Sequence, residues 1–164
     1  MPAPATLHQP KHANNVVAQT LQSVLANTYG VYLATHNYHW NVEGKNFVSL
    51  HTLFEGQYNE LFLAVDRIAE RIRALGDYAL PFEGENVVQI SRMTSNALNK
   101  ETAADDRAER MLQNLIELNE SVVKSCQASK KVAQNVRDDE SENLMVERIT
   151  AHQKALWMLQ SALK

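Results

Sequence analysis

The sequence predicts an all-α protein, a four-helix bundle whose middle connection is a long crossover. Three observations predict it. Breakers are scarce: the 164 residues contain five glycines and four prolines, and three of those prolines fall within the first ten positions. Apolar residues recur at steps of three and four over long stretches, the helical period. The stretches form two close pairs separated by residues 77–99, which describes two hairpins joined by a crossover. With 45% hydrophobic residues the chain can fill one core, so one domain is expected over residues 14–164, after a flexible N-terminal tail over 1–13.

The first helix is read from Val17, Leu21, Val24, Leu25, Tyr29, Tyr32 and Leu33, running to about Trp40 and broken near Gly44. The second is the clearest: Phe47, Leu50, Phe54, Tyr58, Leu61, Val65, Ile68, Ile72 and Leu75 keep the period until Gly76. A short turn between them makes an antiparallel hairpin. Residues 77–99, with Pro81, Gly84 and the apolar piece Val87 to Ile90, suit a crossover carrying a short helix of a turn or two. A third helix runs from about Glu101 to Val136 through Ala108, Met111, Leu112, Leu115, Leu118, Val122 and Val123, with Glu101, Asp105 and Asp106 near its positive start. The fourth runs from about Asp139 to Leu163 through Leu144, Ile149, Ala155, Leu156 and Leu159.

Composition excludes several classes. Sixteen Lys and Arg against nineteen Asp and Glu give a formal charge of −3, with the basic residues scattered, unlike a dedicated nucleic-acid binder. The single cysteine, Cys126, excludes an intrachain disulfide, and no charged start followed by an apolar run marks secretion or a membrane span, so a cytoplasmic location is expected. None of the six histidines has Glu three residues before it, and HExxH, CxxC, GxSxG and a Walker-type glycine loop are absent. A catalytic metal, if bound, is not held by the usual motif in the bundle centre.

His39, His51, Asp66 and Glu70 are the candidate metal ligands. Asp66 and Glu70 are one turn apart on the second helix, and like charges at that spacing repel unless a cation offsets them. The ordinary alternative is that Arg67, Arg71 and Arg73 neutralise a solvated surface; spacing alone leaves both readings open. At about 1.5 Å per residue His51 lies roughly 22 Å from Asp66 along the helix, too far to share an ion. The hairpin places His39 level with about residue 48, so it accompanies His51. The four residues therefore form two half-sites at opposite ends of one helix. Two copies of that helix, antiparallel about a two-fold axis near Asn59, bring each histidine pair to the partner's carboxylates. Imidazole plus carboxylate with open positions suits Fe(II) that must meet an oxidant. Each histidine also has an ordinary reading: His39 as a packed residue beside Trp40, His51 as a surface or hydrogen-bonded core residue.

The stretch His39-Trp40-Asn41-Val42-Glu43-Gly44, then Phe47, Leu50-His51, Phe54-Glu55, Tyr58 and Asp66-Arg67-Ile68-Ala69-Glu70-Arg71, resembles the Dps family of ferritin-like mini-ferritins. His152 to Leu159 resembles that family's final helix, so the likeness covers roughly residues 14–162. The resemblance implies a dodecameric shell of ferritin-like four-helix subunits with ferroxidase sites at the two-fold interfaces, where His39 and His51 meet Asp66 and Glu70 of the neighbouring subunit. It implies that Fe(II) is oxidised, preferably by hydrogen peroxide and otherwise by dioxygen, that ferric oxide collects inside, and that DNA is thereby protected from oxidative damage.

Asp138, Asp139, Glu140 and Glu142 cluster where a three-fold pore would admit Fe(II) in that family; a charged helix start is the alternative. Glu55, one turn beyond His51, is a further metal or mineral-nucleation candidate, while Thr52 and Gly56 supply no carboxylate beside it. Trp40 and Trp157 are read either as acceptors of oxidising equivalents or as packing residues, and Cys126 and the methionines as having no function. The first fourteen residues hold only Lys11, with His8 and His12, so direct DNA binding is expected to be weak or absent at neutral pH and to rise on acidification. The competing function is a nucleoid-binding or structural shell whose site is inactive or held by zinc, which binds such ligands but has no redox chemistry. A partner-binding bundle without metal is the third reading.

Overall fold

The computed structural model describes residues 11–80 and 86–164, which form five helices: α1 Lys11–Asn41, α2 Phe47–Ala74, α3 Asn86–Ala97, α4 Ala104–Val136 and α5 Asp139–Ala162. Helices α1 and α2 pack along one another as one hairpin, α4 and α5 as the other, and α1 against α4 joins them. Contact between α2 and α5 is sparse, which leaves that side of the bundle the most open. Residues 1–10 of the expected tail lie outside the described residues; α1 is already helical from Lys11.

Helix α2 shows why the period was readable. Its buried residues Leu50, Phe54, Leu61, Ala64, Ile68 and Ile72 are spaced by threes, fours and one seven, a single stripe facing the core. The turn before it needs Gly44, whose φ of +98° is costly for any side chain. A Cβ there would also strike the Asp105 carboxylate, which accepts from the Lys45 N–H at 3.0 Å. Arg107 pairs with Glu43 as well, so the α1–α2 turn is fastened to the start of α4.

The crossover helix is longer than the turn or two expected. After Ile90 the buried positions Thr94 and Ala97 continue the helical step, and the twelve-residue helix lies against α1 and α4. α3 approaches α1 closely enough that a side chain at Gly30 would collide with Ile90. α4 begins at Ala104, three residues after the expected start, and the turn that leads into it is closed by Thr102 N–H donating to Asn99 O at 3.1 Å.

The core divides into two apolar clusters, one around Leu21, Leu25, Ile68, Ile72 and Met145, the other around Tyr38, Phe54, Met111, Leu115 and Leu159. Cys126 belongs to the first, and burial pushes its thiol up to about 12 although Arg148 opposes the shift. Between the clusters along α2, α4 and α5 lie Glu60, Asn119, Arg148 and His152. Asn119 Nδ2 donates to Leu115 O at 2.7 Å, so its Oδ1 accepts, at 2.7 Å, from His152 Nδ1–H. His152 Nε2 then takes a hydrogen bond from Arg148 Nη2 at 3.2 Å, and Arg148 also makes a two-pronged ion pair with Glu60. Burial, reinforced by Arg148, pushes His152 down to about 3, so it stays neutral.

Candidate metal centre

The hairpin turn brings the last turn of α1 against the first turns of α2, and with them His39 and His51. Their rings stack with centroids 3.8 Å apart and planes 22° off parallel. His39 Nδ1 lies 2.9 Å from the carbonyl oxygen of His51, and His51 Nδ1 lies 2.8 Å from that of His39. A carbonyl can only accept, so in both rings Nδ1 carries the proton and donates. The His39 carbonyl is free for this because it is among the last four of α1, which have no partner within the helix. The reciprocal pair fixes both tautomers and leaves both Nε2 lone pairs available, the arrangement found where a carbonyl orients a metal-binding imidazole.

Aromatic side chains hold this pair in place. Tyr58 meets the His39 ring edge-on at 5.1 Å, and Phe47 lies 5.1 Å from His51. His36 stacks on Tyr58 at 4.2 Å and touches Trp40 at 4.1 Å. Burial lowers the His36 pKa below its ordinary value, and His39 adds to the effect. Sequence reasoning passed over His36, although its position three residues before His39 placed it on the same face of α1.

Asp66 and Glu70 stand elsewhere. Both are exposed on α2, with Asp66 roughly 22 Å from His51 along the axis, and a single chain does not bring the four residues together. Among the described residues no three His, Cys, Asp or Glu side chains are gathered closely enough to hold a metal ion. The arginines that offered an ordinary account of the two carboxylates are engaged elsewhere. Arg67 pairs with Glu147 at 2.7 Å; Arg71 reaches Asp138 at 2.6 Å and Ser141 Oγ at 2.9 Å. Arg73 donates to Asp77 O and lies over the Tyr78 ring. Among the described residues neither Asp66 nor Glu70 forms an ion pair.

Rotation of about 100° per residue puts His51, Glu55, Phe62, Asp66 and Glu70 within one sector of α2 about 100° wide. That sector faces solvent, with Phe62 at 60% and the adjoining Leu63 at 63% exposure. Tyr32 extends it onto α1, its ring 6.1 Å from Phe62. Trp40 and Trp157 are also largely exposed, although Trp40 lies against the His36 ring.

The acidic cluster at the start of α5 is more mixed. Asp138 is its N-cap, accepting from Ser141 N–H at 3.0 Å and from Arg71, which commits that carboxylate within the chain. Glu142 accepts from Gln134 Nε2 at 2.6 Å, while Asp139 and Glu140 are exposed in the first turn.

Among protein families, the ferritin-like domain matches residues 18–164. The chain is 31% identical over 150 residues to the DNA protection during starvation protein of Brevibacillus brevis, covering 91% of this chain and 95% of that protein. It is 30% identical over 145 residues to general stress protein 20U of Bacillus subtilis, covering 88% and 95%. The fold superposes on the Dps protein of Vibrio cholerae O1, described as one of the ferritin-like diiron-carboxylate proteins, with a TM-score of 0.79, 26% identity and coverage of 100% and 99%. Among the described residues no helix is long and apolar enough to cross a membrane.

Proposed function

Because the chain belongs to the Dps family of ferritin-like proteins, we propose that it is an iron-storing ferroxidase whose sites are completed between subunits. His39 and His51 of one subunit bind Fe(II) together with Asp66 and Glu70 of the partner subunit. The observation that carries this reading is the reciprocal Nδ1–carbonyl pairing, which leaves two imidazole Nε2 atoms without a role in the chain's own packing. The two unpaired carboxylates on the same exposed sector of α2 supply the matching half. Antiparallel pairing of two α2 helices about an axis near Asn59 joins the halves twice and covers Phe62 and Leu63.

Fe(II) is the substrate. The neutral imidazoles and anionic carboxylates hold it with positions left open for an oxidant. Oxidation of iron in pairs passes two electrons to hydrogen peroxide and releases no hydroxyl radical; dioxygen is the alternative oxidant. Ferric product is stored inside a shell of twelve subunits, with Glu55 and the acidic start of α5, Asp139 and Glu142, as candidates for nucleation and admission of cations. The DNA protection named in the Brevibacillus brevis relative comes to this chain through that chemistry. A charge of −3 per subunit opposes direct DNA binding at neutral pH, and a salt-sensitive gel shift at pH 8 would contradict this.

The test is anaerobic Fe(II) loading followed by peroxide, with absorbance and radical detection, comparing the native chain with His51→Ala plus Asp66→Ala. Rapid peroxide consumption with little radical, lost in the variant while the shell stays assembled, supports the ferroxidase. Equal slow behaviour in both sinks it and leaves an inactive or zinc-held structural shell.

A further inference from the structure

We propose that the groove between α3 and α4 binds a small, doubly charged oxyanion of the phosphate class. One face of α3, carrying Gln89, Arg92 and Asn96 at helical steps of three and four, lies across the stretch of α4 that carries Arg110, Gln113 and Asn114. The space between them has a volume of about 370 Å³, in the range of small-ligand sites, and no Asp or Glu lines it.

The two arginines are the first indication of a ligand. Elsewhere in the chain Arg67, Arg71, Arg107 and Arg148 form ion pairs, and Arg73 donates to a carbonyl and covers a tyrosine ring. Arg92 and Arg110 come from different helices to one groove, and among the described residues neither has a hydrogen bond or an ion pair. Asp106 stands one turn before Arg110 on α4, at the spacing that ordinarily pairs, yet the guanidinium lines the groove instead. Arg137 is also without a partner, but it stands apart at the α4–α5 turn.

The amides are the second indication and narrow the chemistry. Gln113 Nε2 donates to Glu109 at 3.1 Å and Asn114 Nδ2 to Tyr38 Oη at 2.8 Å, so these two spend donors inside the chain. The side-chain amides of Gln89 and Asn96 make no such bond, which leaves their N–H groups beside the two cations. Two guanidiniums brought to one groove with no acid repel each other, and an anion between them reverses the sign of that interaction. A carboxylate is planar and a single guanidinium fork satisfies it. A phosphate presents oxygens in several directions and takes a fork from each wall. Both arginines are exposed, so the ligand enters without movement of either helix. The site uses none of His39, His51, Asp66 and Glu70 and stands apart from the iron reading.

Inorganic phosphate is the probe, titrated at pH 8 and low ionic strength into the assembled, iron-free protein and followed by the width of its phosphorus NMR line. Saturable broadening is expected. Arg92→Gln and Arg110→Gln each weaken binding by at least about tenfold, and the double variant abolishes it. Arg137→Gln, which removes an equally unpaired arginine outside the groove, leaves binding at native strength. Iron oxidation and shell size stay native in all of them, which separates this site from the ferroxidase reading. A short DNA duplex, titrated in the same way, distinguishes a backbone phosphate from a free one, and a groove of this size predicts that the duplex does not bind. Absence of saturable broadening overturns the proposal. Equal weakening by Arg137→Gln also overturns it, since surface charge alone would then hold the anion, as does duplex binding that Arg92→Gln and Arg110→Gln remove.

Discussion

The bundle centre and the α1–α2 flank are built from the same residue types and use them in opposite ways. At the centre, Glu60, Arg148, His152 and Asn119 form a connected network in which both His152 nitrogens are spent inside the chain. At the flank, His39 and His51 each spend one nitrogen on a neighbouring carbonyl and keep the other, while among the described residues Asp66 and Glu70 form no ion pair. The difference is one of partners: His152 has two within the chain, whereas His39 and His51 have one each, which is what suits them to the shared site proposed above. In the centre of the bundle a guanidinium meets the acid, whereas the proposed function gives Asp66 and Glu70 on the flank an external cation.

The contrast can be broken first where its effect is largest. His51→Ala alone should slow Fe(II) oxidation on the order of 100-fold in stopped-flow absorbance while costing only about 1 kcal/mol of stability, for the lost hydrogen bond to the His39 carbonyl. At the centre the reverse holds. Arg148→Ala removes a buried guanidinium from its pair with the half-exposed Glu60 and leaves His152 Nε2 without a donor, and should cost about 2 kcal/mol in denaturant unfolding. If Arg148→Ala were the variant that lost oxidation at full stability, the assignment of roles would be inverted.

Acid sharpens the difference further. His152 has a folded pKa of about 3 against an ordinary 6.5, so below pH 6.5 the unfolded chain takes up a proton that the native chain refuses. Stability is therefore level above 6.5 and falls as pH drops towards 3, by about 2 kcal/mol between pH 6.5 and 5. Denaturant titrations at a series of pH values should show this slope, and His152→Gln should flatten it. The smallest effect lies at the α4–α5 turn, where Arg137 has a φ of 58°. Arg137→Gly should raise stability by about 0.5 kcal/mol with no change in iron oxidation.

Much of this was legible in the sequence. The helical period of α2 gave its buried stripe, helix rise separated His51 from Asp66, and the hairpin turn joined His39 to His51. What the sequence could not give depends on register between helices. Which atoms of His39 and His51 face each other is set by the axial offset of α1 on α2, and no spacing along one strand of chain contains it. The partners of Arg67 and Arg71 lie on α5 and at its cap, 80 and 67 residues away in sequence, so in sequence the arginines are neighbours for Asp66 and Glu70, and only the packing shows where they turn. The length of α3 was underestimated for a related reason: Thr94 and Ala97 look like poor core residues until α1 and α4 close over them.

The central claim is that each site is shared between two subunits, and subunit mixing tests it most directly. Chains carrying His51→Ala and chains carrying Asp66→Ala, each inactive alone, are unfolded together at equal amounts, reassembled, and assayed for Fe(II) oxidation. A shared site predicts recovery of roughly a quarter of the native rate, because half of randomly formed pairs are mixed and each mixed pair restores one of its two sites. Mixed shells that assemble fully and remain as inactive as either parent would contradict it.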